Sequence, residues 1–216
     1  MYKIDVVLPL SAQIANIIRQ SIISGEIKPG QKISVSKITD HLDVSATPVK
    51  EAFKILQAEG LLQTKARSGT YVSDFAISSM HNMAYIRSAL EGVAVNIATK
   101  IASDAQLNEL IDILDGGDVA IQNNDMEKLV ATNTSFHRKI REISGNQYLY
   151  MLIEQLVSFD LSVRERALRD MESRIKGGKE HRNIVKLMIA RKAEEAEQAM
   201  IHHIRNTVSD AVSNRV

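Results

Sequence analysis

Helical spacing of apolar residues dominates the sequence from about residue 79 onward and limits what the chain can fold into. Apolar residues recur there every three or four positions, and no stretch alternates as a strand would. Polar residues and glycines divide the region into helical segments at about 79–101, 105–123, 126–143, 147–173, 179–190 and 193–213. The first segment carries one apolar stripe, composed of Met83, Ile86, Leu90, Val93, Ile97 and Ile101. This pattern predicts an all-α bundle with short loops, and it places one break at Gly177-Gly178.

Composition excludes several classes of protein. The 216 residues include three Pro and ten Gly, which favours long helices over a sheet fold with many turns. There is no Cys, so disulfides, thiolate metal sites and cysteine nucleophiles are excluded. No apolar run reaches the ~18–20 residues that span a bilayer, and the N-terminal sequence lacks a signal-peptide pattern. We therefore expect a cytoplasmic protein without membrane contact.

The N-terminal part of the chain follows a different pattern. Helical stripes lie at 10–24, at 34–42 and from after Val44 to about 59. Two strand-like segments follow at 61–64 and 70–72. Only a tight turn separates the second helix from the third. Three helices followed by a hairpin predict a winged helix-turn-helix, which places its third helix in the major groove of DNA.

Polar and cationic side chains occur where such a module meets DNA, at the start of the third helix and at the hairpin tip. The predicted DNA contacts are Ser45, Thr47, Lys50, Lys54, Lys65, Arg67 and Gly69. For a single charged helix, an ordinary solvated surface is the alternative. The order of helix, turn, helix and hairpin favours DNA contact over that alternative.

Several stretches resemble the GntR family of bacterial regulators. Residues 24–33 resemble its G-x-(I/L)-x-P-G-x-x-(L/I) turn. Residues 44–53 and 56–62 resemble its recognition helix, V-S-R-T-P-V-R-E-A-L followed by L-x-x-E-G-L, and residues 69–72 match its wing. The resemblance covers about residues 8–75 and implies a DNA-binding regulator.

Two positions depart from that family pattern. Ala46 and Lys50 stand where the family often has Arg. Lysine contacts phosphate as a point charge and lacks the bidentate fork with which Arg reads guanine. We therefore expect an operator that differs from the usual family consensus.

Histidines are concentrated in the later helices, at positions 137, 181, 202 and 203. Asn133 and His137 lie four residues apart and so share one helix face. Side chains from three helices of a bundle can converge on one interior site, and imidazole binds several divalent transition metals. Scattered surface or core histidines remain the alternative from spacing alone.

Four further stretches resemble the FCD domain, the ligand-sensing half of a GntR subfamily. They are residues 86–91 ((V/I)-R-x-x-L-E), 133–137 with 144–146 (D-x-x-F-H and S-G-N), 180–184 (E-H-x-x-I) and 199–204 (A-M-x-x-H-(I/L)). The resemblance spans about residues 80–210. It implies a divalent metal held by one Asp and three His, with a small carboxylate effector completing the coordination shell.

The resemblance assigns the metal to Asn133, His137, His181 and His203. Asn133 stands where the family has Asp. An amide oxygen can bind a metal but is neutral, so we expect a weak fourth ligand. Three His ligands leave open positions for an effector. We expect Zn, Ni or Mn as the metal.

Arg87 has two interpretations. A guanidinium matches a carboxylate bidentately, so Arg87 is a candidate clamp for the effector. Alternatively, Arg87 is a surface residue or forms an ion pair with Glu91, four residues later on the same helix.

We therefore predict a mainly α protein, with a winged helix-turn-helix DNA-binding domain at 1–75, a linker at 76–79 and an all-α effector-binding and dimerisation domain at 80–216. As a homodimer it would bind palindromic double-stranded DNA, because two heads related by a two-fold axis match two half-sites. A small carboxylate bound at the metal would control operator affinity.

Two other functions must be considered. One is a DNA-binding dimer that senses neither metal nor effector, which the Asn133 substitution keeps open. The other is a metal-dependent hydrolase, but the sequence has no HExxH, no GxSxG elbow, no P-loop and no dinucleotide fingerprint. We therefore expect no enzymatic activity.

Overall fold

The computed structural model describes residues 9–156 and 167–213, and the chain divides into two compact units between Met80 and His81. The first unit contains α1 (Leu10–Ile23), β1 (Lys32–Ile33), α2 (Val35–Leu42), α3 (Ala46–Ala58), β2 (Leu62–Lys65) and β3 (Gly69–Val72). These elements form the winged helix-turn-helix that the sequence predicts. The central part of the predicted helix at 147–173 lies outside the described residues.

Helices α1 and α3 pack together to form the core of the first unit. Its buried side chains include Ile14, Ile18, Ile22, Val49, Phe53 and Leu56. A bidentate ion pair closes the end of this core: the Nε and Nη2 of Arg19 lie 2.9 and 2.7 Å from the two carboxylate oxygens of Glu59. Arg19 is fully buried. A buried guanidinium requires such a partner, so this pair fixes the C-terminal end of α3 against α1.

The wing is a three-stranded antiparallel sheet in the order β1-β3-β2. The sequence predicted only the β2–β3 hairpin. Strand β1 has two residues and pairs Lys32 with Tyr71. A strand this short carries no alternation that a sequence pattern could reveal.

The second unit is all-α, as predicted. Helix α4 (Ala76–Ile101) crosses the boundary between the units, and the second unit continues with α5 (Asp104–Gln122), α6 (Met126–Ser144), α7 (Gln147–Glu154), α8 (Met171–Ile189) and α9 (Ala193–Ser213). Since α4 begins at Ala76, residues 76–79, which we assigned to a linker, form its first turn. The core is aliphatic and includes Ala94, Val95, Leu110, Ile140, Ile184, Met188 and Met200.

Helix α8 corrects one predicted break. It runs without interruption from Met171 to Ile189, so Gly177-Gly178 does not separate two helices. A Cβ at Gly177 would meet no atom within 4 Å, and one at Gly178 would meet Asp118 and Ile121 only at 3.9 and 4.0 Å. The packing of the other residues of α8 therefore outweighs the weak helix propensity of the glycine pair.

The apolar stripe of α4 lies mostly outward, and of its members Leu90 packs against the core of the second unit. Ile86 is 55% exposed and Val93 is 43% exposed, whereas Arg87 and Glu91 are buried. The spacing of apolar residues identified this helix, but its inward positions are taken by Ala94, Val95 and Ala98 together with the polar Arg87 and Glu91. Among the described residues, no helix is long and apolar enough to cross a membrane.

Gly177→Ala should raise the free energy of unfolding by about 0.5–1 kcal/mol, because alanine loses less backbone entropy in a helix and its Cβ meets open space. The control is Gly145→Ala. Gly145 ends α6 with a φ of +63° and its Cβ would also meet no atom within 4 Å, so strain alone should lower stability there. Urea unfolding followed by circular dichroism measures both. Equal shifts in the two variants would contradict this account.

Candidate DNA-binding surface and metal centre

The predicted DNA contacts lie on one side of α3 and on the tip of the wing. The structure leaves the following six side chains exposed: Ser45, Thr47, Lys50, Lys54, Lys65 and Arg67. The N-terminus of α3 adds the positive end of a helix dipole to this surface. The arrangement offers backbone N–H groups, hydroxyls and cations, which are the groups that contact phosphate and base edges.

The wing tip depends on two residues with left-handed backbone. Arg67 has a φ of +59° and Gly69 a φ of +117°. A Cβ at Gly69 would lie 2.7 Å from the Cε atom of Lys32, so only glycine fits there without moving that side chain. Gly69 therefore shapes the turn that presents Lys65 and Arg67, and its contact with DNA stays a prediction.

Lys32 is a further cation at the wing that sequence reasoning missed. Its Nζ lies 5.8 Å from the centre of the Tyr71 ring, and the Nζ of Lys65 lies 5.0 Å from the same ring. Strand β1 brings Lys32 to this position. Because β1 was not predicted, no sequence signal placed Lys32 beside the wing.

His137, His181 and His203 converge in the second unit from α6, α8 and α9. One ring nitrogen of each lies within 4.8 Å of the others. The three residues are 1%, 5% and 5% exposed. The Nε2 atoms of His181 and His203 are 2.9 Å apart. Two nitrogens that bind one ion at about 2.0–2.1 Å lie about 2.9–3.4 Å apart for N–metal–N angles of about 90–110°, so this spacing is at the short end of the range for a shared metal.

Asn133 lies one helical turn before His137 on α6 and provides a separate test of the metal assignment. Its Oδ1 is buried and accepts no hydrogen bond from the described residues. Asn133 lines one pocket together with His181 and a second pocket together with His203. A buried carbonyl oxygen without a donor is costly unless it has another partner. Three imidazoles with this amide oxygen fit a divalent transition metal.

Glu180 and Asn206 surround His203. The Nδ1 of His203 lies 2.7 Å from Glu180 Oε2, and the side-chain amide of Asn206 donates to Glu180 Oε1 at 3.0 Å. Burial raises the pKa of the Glu180 carboxyl, but hydrogen bonds from His203 and Asn206 and the charges of His203 and Lys176 outweigh this effect, so the pKa lies below its ordinary value. Glu180 is therefore held as a carboxylate next to the histidine cluster.

In this structure Arg87 forms the ion pair with Glu91, which was the second of the two interpretations of this residue. Its Nη2 donates to Glu91 Oε1 at 3.2 Å, and both side chains are buried. The same Glu91 oxygen lies 4.0 Å from the Nδ1 of His137. Glu91 therefore connects Arg87 to the histidine cluster, a role that the sequence did not reveal. A direct contact between Arg87 and an effector stays a prediction.

A pocket of about 430 Å³, part of it open to solvent, adjoins the cluster. Helices α5, α6 and α8 form most of its wall, and its residues include His181 and Asn133. The remaining wall is largely aliphatic, with glycines at positions 117, 177 and 178. Arg174 also lines it, but its guanidinium donates to the Leu168 carbonyl and to Asn124 Oδ1 at 2.6 and 2.7 Å. We assign Arg174 a structural role.

Family models match both units. The model for bacterial regulatory proteins of the gntR family matches residues 10–72, and the FCD domain model matches residues 82–206. The chain is a GntR-family regulator with an FCD domain. The predicted family and fold class are thereby confirmed.

Relatives of this regulator are transcriptional regulators. The HTH-type transcriptional repressor RspR of Escherichia coli is 26% identical over 204 residues, covering 94% of this chain and 89% of RspR. A probable D-xylose utilization operon transcriptional repressor of Paenarthrobacter nicotinovorans is 29% identical over 201 residues, covering 90% of this chain and 85% of that protein. The names of these relatives agree with the regulatory role that the sequence predicts.

Solved structures support the fold of the regulator. The structure of Escherichia coli McbR/YncC matches with a TM-score of 0.65 and 20% identity, covering 96% of this chain and 99% of that one. A GntR regulator from Rhodococcus matches with a TM-score of 0.59, also at 20% identity, covering 94% of this chain and 98% of that one.

Lys50→Ala and Arg67→Ala should each weaken DNA binding without unfolding the protein, because both side chains are exposed. Loss of one phosphate contact should reduce the slope of log affinity against log salt by about one. The control is Lys100→Ala, which removes an exposed lysine of α4. Fluorescence anisotropy with operator DNA at several salt concentrations measures the effect. Parental slopes and affinities in both variants would show that the recognition surface is misplaced.

His181→Ala should lose most of the bound metal, because it reduces the ligand set by one buried imidazole. Asn133→Asp should strengthen metal binding by adding a negative charge. His202→Ala is the matched control, since His202 is the exposed neighbour of His203. Elemental analysis of untagged protein, repleted with Zn, Ni or Mn and then dialysed, gives the metal content. A metal-free parent protein would contradict the assignment.

Proposed function

We propose that the regulator binds a palindromic operator as a homodimer and that a small carboxylate, bound at a divalent metal in the FCD domain, controls its DNA affinity. The observation that carries this proposal is the convergence of His137, His181 and His203 with the buried oxygen of Asn133 beside a pocket.

The histidine cluster and the pocket would bind different parts of the effector. A divalent ion held by four neutral side chains would offer open coordination positions to a carboxylate oxygen. The aliphatic wall would hold the carbon part of the effector and limit access of water. Asp118, which also lines the pocket, pairs with Arg182, so its charge is already compensated. These features favour a compact anion with apolar carbon atoms.

Arg87 is the predicted second contact for the effector. Its present partner is Glu91, and Arg87 is not among the described residues that line the pocket. An effector carboxylate would therefore compete with Glu91 for the guanidinium. Because Glu91 also faces His137, release of Glu91 would change the surroundings of the metal and the position of α4 together.

The outward face of α4 supports a homodimer. Ile86, Val93 and Ile101 are exposed along one stripe, with Leu90 and Ile97 between them. Contiguous apolar surface of this kind marks a protein contact. A second copy of the chain would present the same stripe, and a two-fold axis brings identical surfaces together. The same symmetry is what a palindromic operator requires.

Effector binding can change DNA affinity only if the effector binds two arrangements of the dimer unequally. We infer that the junction at Phe75 to Ser79 is the movable element. Residues 76–79 begin α4, and the same helix carries Arg87 and Glu91. We infer that opening of the Arg87–Glu91 pair shifts α4 and so changes the angle between the two DNA-binding heads.

The test is a titration of operator DNA with metal-loaded protein and a panel of small carboxylates. An effector should change operator affinity by ~5–150-fold, which corresponds to about 1–3 kcal/mol of coupling. The same factor must appear in effector affinity when operator is added. His137→Ala should abolish the response while leaving most basal DNA binding, because it removes a metal ligand far along the chain from α3.

A dimer that binds DNA but senses nothing makes the opposite prediction, and the neutral Asn133 is the observation that favours it. Operator affinity would then be indifferent to every carboxylate tested. Parent and His137→Ala proteins would also give identical values.

A further inference from the structure

Glu180 occupies a special position among the carboxylates of the second unit. It lies next to His181 in the chain, yet its side chain contacts His203 on the neighbouring helix. Its Oε2 is 2.7 Å from the Nδ1 of His203, and its Oε1 accepts a hydrogen bond from Asn206 at 3.0 Å. Both carboxylate oxygens are therefore engaged, and the carboxylate is held from two sides.

This contact decides which nitrogen of His203 can bind a metal. A carboxylate is an acceptor only, so Nδ1 of His203 must carry the proton that lies between them. Nε2 of His203 then keeps its lone pair, and Nε2 is the atom that lies 2.9 Å from Nε2 of His181 inside the cluster. A histidine ligand with its other nitrogen bound to a carboxylate has a fixed ring orientation and greater basicity.

Charge gives the contact a second role. Asn133 and the three histidines are all neutral ligands, so this ligand set itself supplies no negative charge to a divalent ion. Glu180 places a carboxylate one imidazole ring away from that ion. A carboxylate behind a ligand histidine stabilises positive charge in a poorly solvated site.

We propose that Glu180 is a positioning residue of the metal centre: it holds His203 with Nε2 directed at the metal and supplies negative charge that Asn133 lacks. This inference rests on the metal site of the proposed function. Glu180 acts through His203 rather than as a ligand, because it contacts Nδ1 of His203, whereas Nε2 is the atom that faces His181.

The first experiment measures Zn²⁺ affinity of the full-length protein by competition with a chromophoric chelator. Glu180→Gln should weaken Zn²⁺ binding by about 10–100-fold, because the amide keeps an acceptor oxygen at only one of the two positions that contact His203 and Asn206, and it carries no charge. Glu172→Gln is the matched control. It makes the same chemical change on α8 at an exposed position.

The second experiment asks whether charge is part of the effect. Asn133→Asp should raise Zn²⁺ affinity more in the Glu180→Gln protein than in the parent, because the new carboxylate replaces the missing charge. Equal gains in both backgrounds would leave Glu180 without an electrostatic role and would overturn that half of the proposal.

The third measurement follows the ring nitrogens of His203 by ¹⁵N NMR in metal-free protein, which a general loss of stability would not mimic. The parent should show Nδ1 protonated, and Glu180→Gln should show a mixture of both tautomers. Parental Zn²⁺ affinity and an unchanged tautomer in Glu180→Gln would overturn this inference alone. Failure of the parent protein to bind Zn²⁺ would overturn the proposed metal site as well.

Discussion

Burial of three imidazoles in the middle of an aliphatic unit is the constraint on which the second half of the structure depends. A buried polar group is costly unless it is satisfied, and three of them within 4.8 Å require a common solution. The fold supplies a polar layer around them: Glu180 and Asn206 on one side, and Glu91 with Arg87 on the other. The ring of Phe136, which belongs to the buried core, has its centre 4.3 Å from that of the His181 ring. Polar side chains of α4, α8 and α9 therefore lie next to the three buried imidazoles.

The fold could be predicted from sequence where local signals agree with tertiary packing. Strong turn signals and helical stripes defined the DNA-binding module, and the spacing of Asn133 and His137 placed both on one helix face. Local sequence signals gave a wrong or incomplete prediction where tertiary contacts determine the secondary structure. Gly177-Gly178 is a local break signal that packing of α8 overrides, and β1 is too short to have a pattern.

The metal site could be predicted only as far as its ligand types. Sequence motifs identified the three histidines, but the contacts behind them join residues far apart in the chain. Glu180 reaches His203 across 23 positions, and Glu91 approaches His137 from another helix. Neither contact produces a local pattern. The sequence also could not show which side of α4 faces the core, because its apolar residues have helical spacing whichever side is buried.

The two sides of α4 have a consequence for how a dimer would respond to rising effector concentration. One side of the helix carries Arg87 and Glu91 beside His137, and the other carries the exposed stripe that includes Ile86 and Val93. In a dimer joined through that stripe, the helix that senses the first bound effector is also the helix that touches the second subunit. Occupation of one pocket would then alter the affinity of the other, so the two effector sites would bind cooperatively. The sign of that coupling would set the response: the regulator would respond over a narrower range of effector concentration than two independent sites if the first effector favours the second, and over a wider range if it opposes it.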